Sequence, residues 1–171
     1  KLPVPVVYNG GWYERGETLR ALEGCVDIYL PDFKYADACL AGKLSGAAAY
    51  FPVAADAIRE MVRQVGAVRW KGEKVTRGFI IRHLSLPGNV ENSLRVLDWI
   101  GENFAPGEVL VSLMRQYTPM GGLPAPFDRR VTGEEYDAVL SWMYLNELEG
   151  FTQEAEAADT GFIPDFLPGE Q

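Results

Sequence analysis

Four nearly continuous apolar runs constrain the fold of this chain more than any other feature of its sequence. In each run hydrophobic residues follow one another instead of alternating with polar ones, which is typical of parallel strands that are covered on both faces. Between the runs, apolar residues recur at helical spacing, so strands and helices are expected to alternate along the chain. The runs are Pro3 to Tyr8, Val26 to Phe33, Arg77 to Leu86 and Glu108 to Met114.

The helical segments carry signals for their own ends. Gly24 and Gly66 follow the first two segments, where glycine is typical of a left-handed C-cap. Glu135 lies three residues after Thr132, a capping-box pattern that predicts the start of the last helix. The apolar positions of the four segments are Leu19 and Leu22; Ala54, Ile58, Met61, Val62 and Val65; Val90, Leu94, Leu97, Ile100 and Phe104; and Tyr136, Val139, Leu140 and Met143.

This order, β-α-β-α-β-α-β-α, predicts an α/β fold of about four repeating units. Parallel strands joined by right-handed crossovers form either an open doubly wound sheet or part of a (β/α) barrel. No Gly-x-Gly-x-x-Gly follows a strand, which disfavours a dinucleotide site. A chain of 171 residues can bury about 70% of its unfolded surface, so we expect one domain over residues 1–171.

Charge and hydropathy exclude some classes of partner. A net charge of -8 and a sequence pI near 4.7 disfavour nucleic acid, because phosphate binding needs clustered Lys and Arg. No apolar stretch approaches the roughly 18 residues that span a bilayer, and no signal-peptide pattern opens the chain. We therefore expect a cytoplasmic protein with no membrane partner, in keeping with two unpatterned cysteines. Since Lys1 leads directly into an apolar run, the sequence reads as the later part of a longer protein.

The second apolar run ends in an acid and a base, Asp32 and Lys34. Residues two apart in a strand share a face, so the two side chains are expected to project together from the carboxyl end of a buried strand. That end is where α/β enzymes hold their chemistry. An ordinary ion pair at a strand end would explain the same spacing equally well.

Arg82 and His83 are neighbours in the third run and should point to opposite faces. A buried arginine needs a partner, which could be a cofactor or Asp32. For His83, a hydrogen-bonded structural role against a helix is favoured over a catalytic one. A Pro- and Gly-rich loop from Thr118 to Phe127 is expected on the same side as Lys34, where it would shape substrate choice.

Five segments, in one order along nearly the whole chain, resemble the later part of radical S-adenosylmethionine (SAM) proteins. They are VVYNGGWYE, VDIYLPDFKYAD, GFIIRHLSLPGN, VLVSLMRQYTPMG and GFIPDF, and the group they resemble is described as pyruvate formate-lyase activating enzyme-like. The resemblance implies a partial TIM-type barrel, the last four or so units of a (β/α)6 barrel that holds a [4Fe-4S] cluster and SAM. The implied reaction is reductive cleavage of SAM to a 5'-deoxyadenosyl radical, which abstracts a hydrogen atom from the substrate.

The resemblance also implies where the cofactors are bound. The family holds its cluster with a C-x3-C-x2-C loop after the first strand, and binds the SAM amino group with Gly-Gly-Glu after the second. Neither motif occurs here, and Cys25 and Cys39 are too few and too far apart to replace the loop. The chain is therefore expected to begin near the third strand, to carry no metal ligands and to be inactive alone.

Several SAM-binding residues are implied by matching positions. Asp32 and Lys34 match a D-x-K motif at the end of the fourth strand, and Arg82 matches an arginine whose planar fork could clamp the SAM carboxylate. Asn9 matches an Asn-Gly turn, where it could bind ligand or simply close the turn. Gln116 lies where related proteins place residues near adenine or ribose.

Other readings remain open. Tyr117 shares the position implied for Gln116, although a cover for the core is favoured slightly. The hydrogen donor implied by the resemblance is a glycyl-radical-enzyme-like protein or a small molecule, and the implied electron donor is a flavodoxin or ferredoxin. A different class is a metal-independent barrel lyase or aldolase, with Lys34 as Schiff-base nucleophile and Asp32 as proton relay. A third is a non-catalytic interaction module whose exposed strand edge is covered by another chain.

Overall fold

The structure is a computed structural model that describes residues 2–11, 16–119 and 121–153. The predictions that concern Met120, the end of VVYNGGWYE and the segment GFIPDF fall outside these residues. In chain order the elements are β1 (Val7–Gly10), α1 (Gly16–Ala21), β2 (Ile28–Pro31), α2 (Ala38–Ser45), α3 (Tyr50–Val65), β3 (Arg69–Lys71), β4 (Lys74–Leu84), α4 (Val90–Asn103), β5 (Leu110–Met114), α5 (Gly133–Leu145) and β6 (Gly150–Phe151).

One mostly parallel sheet organises the described residues, which confirms the α/β class. Its strand order is β1-β2-β4-β5-β6, with every neighbouring pair parallel, and β3 pairs with β4 in the antiparallel direction. Asn9 is in register with Leu30, and Arg82 is in register with Ser112. The parallel strands therefore follow one another across the sheet in the order in which they occur along the chain.

The described helices pack against one face of this sheet. Tyr29 donates a hydrogen bond to Gln64 of α3, and Tyr136 of α5 donates one to the carbonyl of Leu113. Side chains alternate along a strand, so the residues next to Tyr29 and Leu113 in their strands point to the opposite face of the sheet. The opposite face carries partly exposed residues from three strands: Leu30, Ile80, Arg82, Leu84, Ser112 and Met114.

The main core lies between the sheet and the helices. Its large side chains are almost completely buried, and burial of each such side chain stabilises the fold by about 1.5–3 kcal/mol. The largest of them are Tyr29, Phe33, Phe79, Ile81 and Leu113 from or beside the strands, with Leu19, Ile58, Met61, Leu97, Ile100 and Tyr136 from the helices.

The predicted helix ends are confirmed in part. The hydroxyl of Thr132 accepts from the backbone N–H of Glu135 at 3.2 Å, and the Glu135 carboxylate accepts from the Thr132 N–H at 2.9 Å, so the capping box is present. Gly66 is the C-cap of α3, but its φ of 68° and ψ of -166° are not left-handed helical. Gly24 lies beyond the end of α1 with a φ of 81°.

Three elements were not predicted: α2, β3 and β6. α2 is a short helix that begins after Asp37, whose side chain caps it by accepting from the Leu40 N–H at 2.8 Å. β3 forms a hairpin with β4, which consequently starts at Lys74, earlier than the predicted Arg77. Among the described residues, no helix combines the length and apolar character that a membrane crossing requires.

Candidate functional site

Asp32, Lys34 and Arg82 form one ion-paired cluster where β2 ends. Asp32 lies in a parallel bridge with Arg82 of β4, so the two backbones bring the side chains together. The Arg82 Nε donates to Asp32 Oδ1 at 2.7 Å, and its Nη2 contacts the same oxygen. On the other side, Lys34 Nζ lies 3.2 Å from Asp32 Oδ2. Asp32 and Lys34 thus project together as their spacing predicts, and Arg82 takes Asp32 as its partner.

The Asp32 cluster, defined by these three residues, has one positive charge in excess. Two cations share a single carboxylate, in a chain whose net charge is -8. The side chain of Asp32 is 11% exposed, whereas those of Arg82 and Lys34 are 28% and 38% exposed. Within the described part of the chain, Arg82 Nη1 has no hydrogen-bond partner, and Asp32 is the one partner of the Lys34 ammonium. The cluster therefore has donors and charge available for an anionic group.

Tyr50 holds the backbone on both sides of Phe33. Its hydroxyl donates to the Asp32 carbonyl at 2.8 Å and accepts from the Lys34 N–H at 3.1 Å. The residue is 4% exposed, and this burial raises the pKa of the Tyr50 phenol, so the hydroxyl keeps its proton. Tyr50 thereby fixes the backbone from which the side chains of Asp32 and Lys34 project.

Asn92, near the start of α4, holds the residues that follow. Its side-chain N–H donates to the Lys34 carbonyl at 2.9 Å, while its oxygen accepts from the N–H groups of Ala36 at 2.8 Å and Asp37 at 3.2 Å. Asn92 is 5% exposed. Three of the hydrogen-bonding positions of this amide are therefore used on a single loop.

His83 completes this support from the helix-covered face. Its Nδ1 lies 2.7 Å from the Phe33 carbonyl, which can only accept, so Nδ1 carries the proton. Its Nε2 then accepts from the Ser93 hydroxyl at 2.8 Å. Burial lowers the pKa of His83 to about 4, although the bond to Phe33 acts in the opposite direction. His83 is thus a neutral, hydrogen-bonded residue packed against α4, as its position next to Arg82 predicts.

Asn9 and Gln116 are not brought into the Asp32 cluster. Asn9 is exposed on β1 in register with Leu30, two residues before Asp32. Gln116 follows β5, and its side-chain oxygen accepts from the amide of Gln153 at 3.0 Å. No hydrogen bond in the described part of the chain joins either residue to the three charged side chains.

Tyr117, in contrast, shares a cavity with Lys34. The cavity has a volume of about 180 Å³ and lies beyond the carboxyl ends of β2 and β4. The predicted loop contributes to it through Leu123, so the loop lies on the same side as Lys34. Its described lining consists of Lys34, Tyr35, Leu44, Leu84, Leu86, Tyr117 and Leu123, and we call it the Lys34 cavity.

The loop from Thr118 to Phe127 is anchored at its far end. Phe127 is buried, and its carbonyl accepts from the Tyr117 hydroxyl at 2.9 Å. Pro126 packs over Gly88, whose φ is 68°, and a Cβ placed on Gly88 would lie 2.6 Å from the ring of Pro126. The Gly88 N–H also donates to Glu135 at 2.7 Å. The start of α5 and the turn before α4 therefore fix this loop together.

Tyr50 and Asn92 were missed at the sequence level. Asn92 and Ser93 lie four residues before Val96 and Leu97, so they occupy core positions of a helix, and two polar residues there are a detectable signal. For Tyr50 the sequence offers no such signal, because an aromatic residue at the start of a helix is normally explained by packing.

The described residues contain no group of three or more His, Cys, Asp and Glu that could hold a metal ion. Cys25 and Cys39 are both exposed thiols in this part of the chain.

Comparison with known proteins gives one similar protein of undescribed activity. An uncharacterized protein of Methanocaldococcus jannaschii is 31% identical over 140 residues, which are 80% of this chain and 37% of that protein. The chain therefore spans well under half the length of this relative. No protein-family model matches the chain, and no solved structure matches it.

Proposed function

We propose that this chain is the C-terminal part of a radical SAM protein and that the Asp32 cluster helps to bind SAM. The observation that carries the proposal is the shared carboxylate: Asp32 holds Arg82 and Lys34 side by side at the carboxyl edge of a parallel sheet. Ligands of α/β proteins are bound at this edge. The resemblance to the family supplies the identity of the ligand.

The sheet topology supports an arc of a barrel over a doubly wound sheet. A doubly wound sheet has helices on both faces and a point at which its strand order reverses. Here the order β1-β2-β4-β5-β6 follows the chain without reversal. The described helices pack on one face, and the partly exposed face would line the interior of a barrel.

The residues fit the amino-acid end of SAM. Arg82 retains an unpaired Nη1, and Lys34 retains unpaired N–H groups, so together they can donate to a carboxylate. Asp32 keeps both cations in place and limits their net charge to one. When bound and cleaved by one electron from the implied cluster, SAM would supply the group that removes a hydrogen atom from the substrate. Tyr50, Asn92 and His83 hold the backbone from which the two binding side chains project.

The same residues do not fit an iron-sulfur cluster. The chain has two cysteines, Cys25 and Cys39, whereas the cluster loop implied by the resemblance has three. We therefore assign cluster binding to other parts of the natural protein, and we assign to this chain only SAM binding and the positioning of its charged groups. The electron donor, flavodoxin or ferredoxin, and the hydrogen donor rest on the family resemblance.

The proposal is tested by titrating SAM into the natural protein that carries this chain, with the dissociation constant measured by calorimetry. Loss of a charged hydrogen bond costs about 1.5–3 kcal/mol, so Arg82→Ala and Lys34→Ala should each weaken binding by a factor on the order of 10–100. Lys71→Ala, an exposed lysine on β3, is the matched control and should leave the affinity unchanged. Equal affinity in all four proteins, or no binding at all, would contradict the proposal.

A further inference from the structure

The wall of the Lys34 cavity is apolar apart from one charged residue. Leu44, Leu84, Leu86 and Leu123 supply aliphatic surface, and the two tyrosines supply rings. Both tyrosine hydroxyls have partners outside the cavity lining, since Tyr35 bonds Ser45 at 2.9 Å and Tyr117 donates to Phe127 at 2.9 Å. Among the described lining residues, Lys34 is therefore the one with a charged side chain. It is also the one whose side-chain N–H groups are not all paired.

The ammonium of Lys34 is held but not saturated. Asp32 Oδ2, 3.2 Å away, occupies one of its three N–H positions, and Asp32 is not among the described residues of the cavity wall. Because a carboxylate is costly to bury without a partner, an apolar cavity with a single ammonium at its wall selects a ligand with one anionic group.

The cavity volume limits the apolar part of such a ligand. A cavity of about 150 Å³ lined by Leu, Ile and Phe holds one benzene molecule. At about 180 Å³, the Lys34 cavity can hold a single ring or a branched aliphatic chain of similar size.

We propose that the Lys34 cavity binds a small carboxylic acid with one ring-sized apolar group, whose carboxylate pairs with Lys34. The assignment of this acid as the hydrogen-donating substrate rests on the proposed function above. In that arrangement Arg82 binds the SAM carboxylate through its free edge, and Lys34 shares its remaining donors between the two ligands. Leu123, from the segment between β5 and α5, contributes to the wall of this cavity.

The proposal is tested with phenylacetate as the probe and phenylacetamide as its neutral isostere. The natural protein that carries this chain is labelled at its leucine methyl groups, and chemical shifts are followed during titration. Phenylacetate should shift the methyl signals of Leu84, Leu86 and Leu123 with a dissociation constant on the order of 1 mM, typical for a ligand of this size. The amide should bind at least about fivefold more weakly, because it lacks the ion pair.

Substitutions at Lys34 and at the cavity wall distinguish the contribution of the charge to binding from that of the apolar cavity. Lys34→Gln should lower the affinity for phenylacetate to that for the amide. Lys71→Gln, on an exposed strand, should not change the affinity for either ligand. Leu84→Trp should abolish binding of both ligands by filling the cavity. If that variant loses the native methyl spectrum, Leu123→Ala replaces it and should weaken both ligands through lost contact area.

Equal binding of phenylacetate and its amide, or shifts at methyl groups remote from the cavity, would overturn the proposal. The outcome is independent of the proposed function, which is measured separately by SAM titration of the natural protein. Phenylacetate binding without SAM binding would support the cavity site and refute the SAM site. SAM binding with no response of the cavity methyls to phenylacetate would refute the cavity site alone.

Discussion

Asp32 is the residue on which the arrangement of the site depends. It contacts both cations through different oxygens, and its backbone is held in turn by Tyr50. Sequence spacing was sufficient to predict that Asp32 and Lys34 share a face, and Asp32 is one of the two partners that the sequence left open for Arg82. Tyr50 could not be predicted in the same way, because it reaches the site from another element and an aromatic residue at a helix start is normally explained by packing. The polar core position of Asn92 indicates a buried hydrogen-bonding role, but not which loop it contacts.

The first residue-scale prediction concerns Tyr50→Phe. The substitution removes a hydroxyl that serves the Asp32 carbonyl and the Lys34 N–H, and it leaves these buried groups unpaired. We expect the free energy of unfolding to fall by about 1–3 kcal/mol, measured by urea denaturation. Tyr144→Phe is the control, since Tyr144 is 62% exposed and should change stability by less than about 0.5 kcal/mol. Identical effects of the two substitutions would show that the hydroxyl contacts are unimportant.

The second residue-scale prediction concerns the pH dependence of stability that His83 contributes. Its pKa is about 4 in the folded chain against 6.5 for an unperturbed histidine, so between these values the unfolded state binds the extra proton. Stability therefore falls as pH falls through this window, by about 2 kcal/mol between pH 7 and pH 5. His83→Gln lacks this titration, so the wild-type chain should lose more stability over the window than the variant. Parallel stability curves for the two proteins would contradict the buried neutral state of His83.

At the scale of elements, the long periodic segments were predictable and the short ones were not. The buried strands and the helices α3, α4 and α5 have enough apolar residues for their periodicity to be read. α2 has eight residues and β3 has three, so neither establishes a period. The hairpin that lengthens β4 turns at Gly72 and Glu73. These residues lie in a polar stretch whose sequence gave no strand signal. The first strand occurs at Val7–Gly10, later than the run Pro3 to Tyr8 predicts.

The element-scale prediction concerns the start of α5. Thr132→Ala removes the side-chain acceptor of the Glu135 N–H and should lower the free energy of unfolding by about 1 kcal/mol. Ser141→Ala in the same helix is the control, because Ser141 bonds only a carbonyl within its own helix and is exposed. Thermal denaturation of both variants makes the comparison. A larger loss for Ser141→Ala would argue against the capping box.

At the scale of the molecule, the sheet is covered by helices on one face among the described residues. The continuous apolar runs predicted cover on both faces, whereas the second face carries partly exposed residues in the described part of the chain. A strand with a partly exposed second face can be as apolar as one that is covered on both faces. Composition along a strand cannot distinguish these two surroundings. The class of fold could therefore be predicted from sequence, while its closure into a barrel stays a proposal.

The molecule-scale prediction compares two neighbours on β4. Ile81 is fully buried on the helix-covered face, whereas Ile80 is partly exposed on the other face. Ile81→Ala should lower the free energy of unfolding by about 2–5 kcal/mol, and Ile80→Ala by clearly less. Denaturant titration of the 171-residue chain distinguishes the two. Equal losses would mean that both faces are covered in solution.

The fate of SAM in the natural protein that carries this chain tests the proposed function most directly. The protein is prepared without oxygen, and iron, sulfide and 5'-deoxyadenosine are measured after addition of SAM and a reductant. We expect roughly four irons per chain, as in a [4Fe-4S] cluster, with formation of 5'-deoxyadenosine that is lost in Lys34→Ala and kept in Lys71→Ala. A protein that binds no iron and leaves SAM intact would contradict the proposed function.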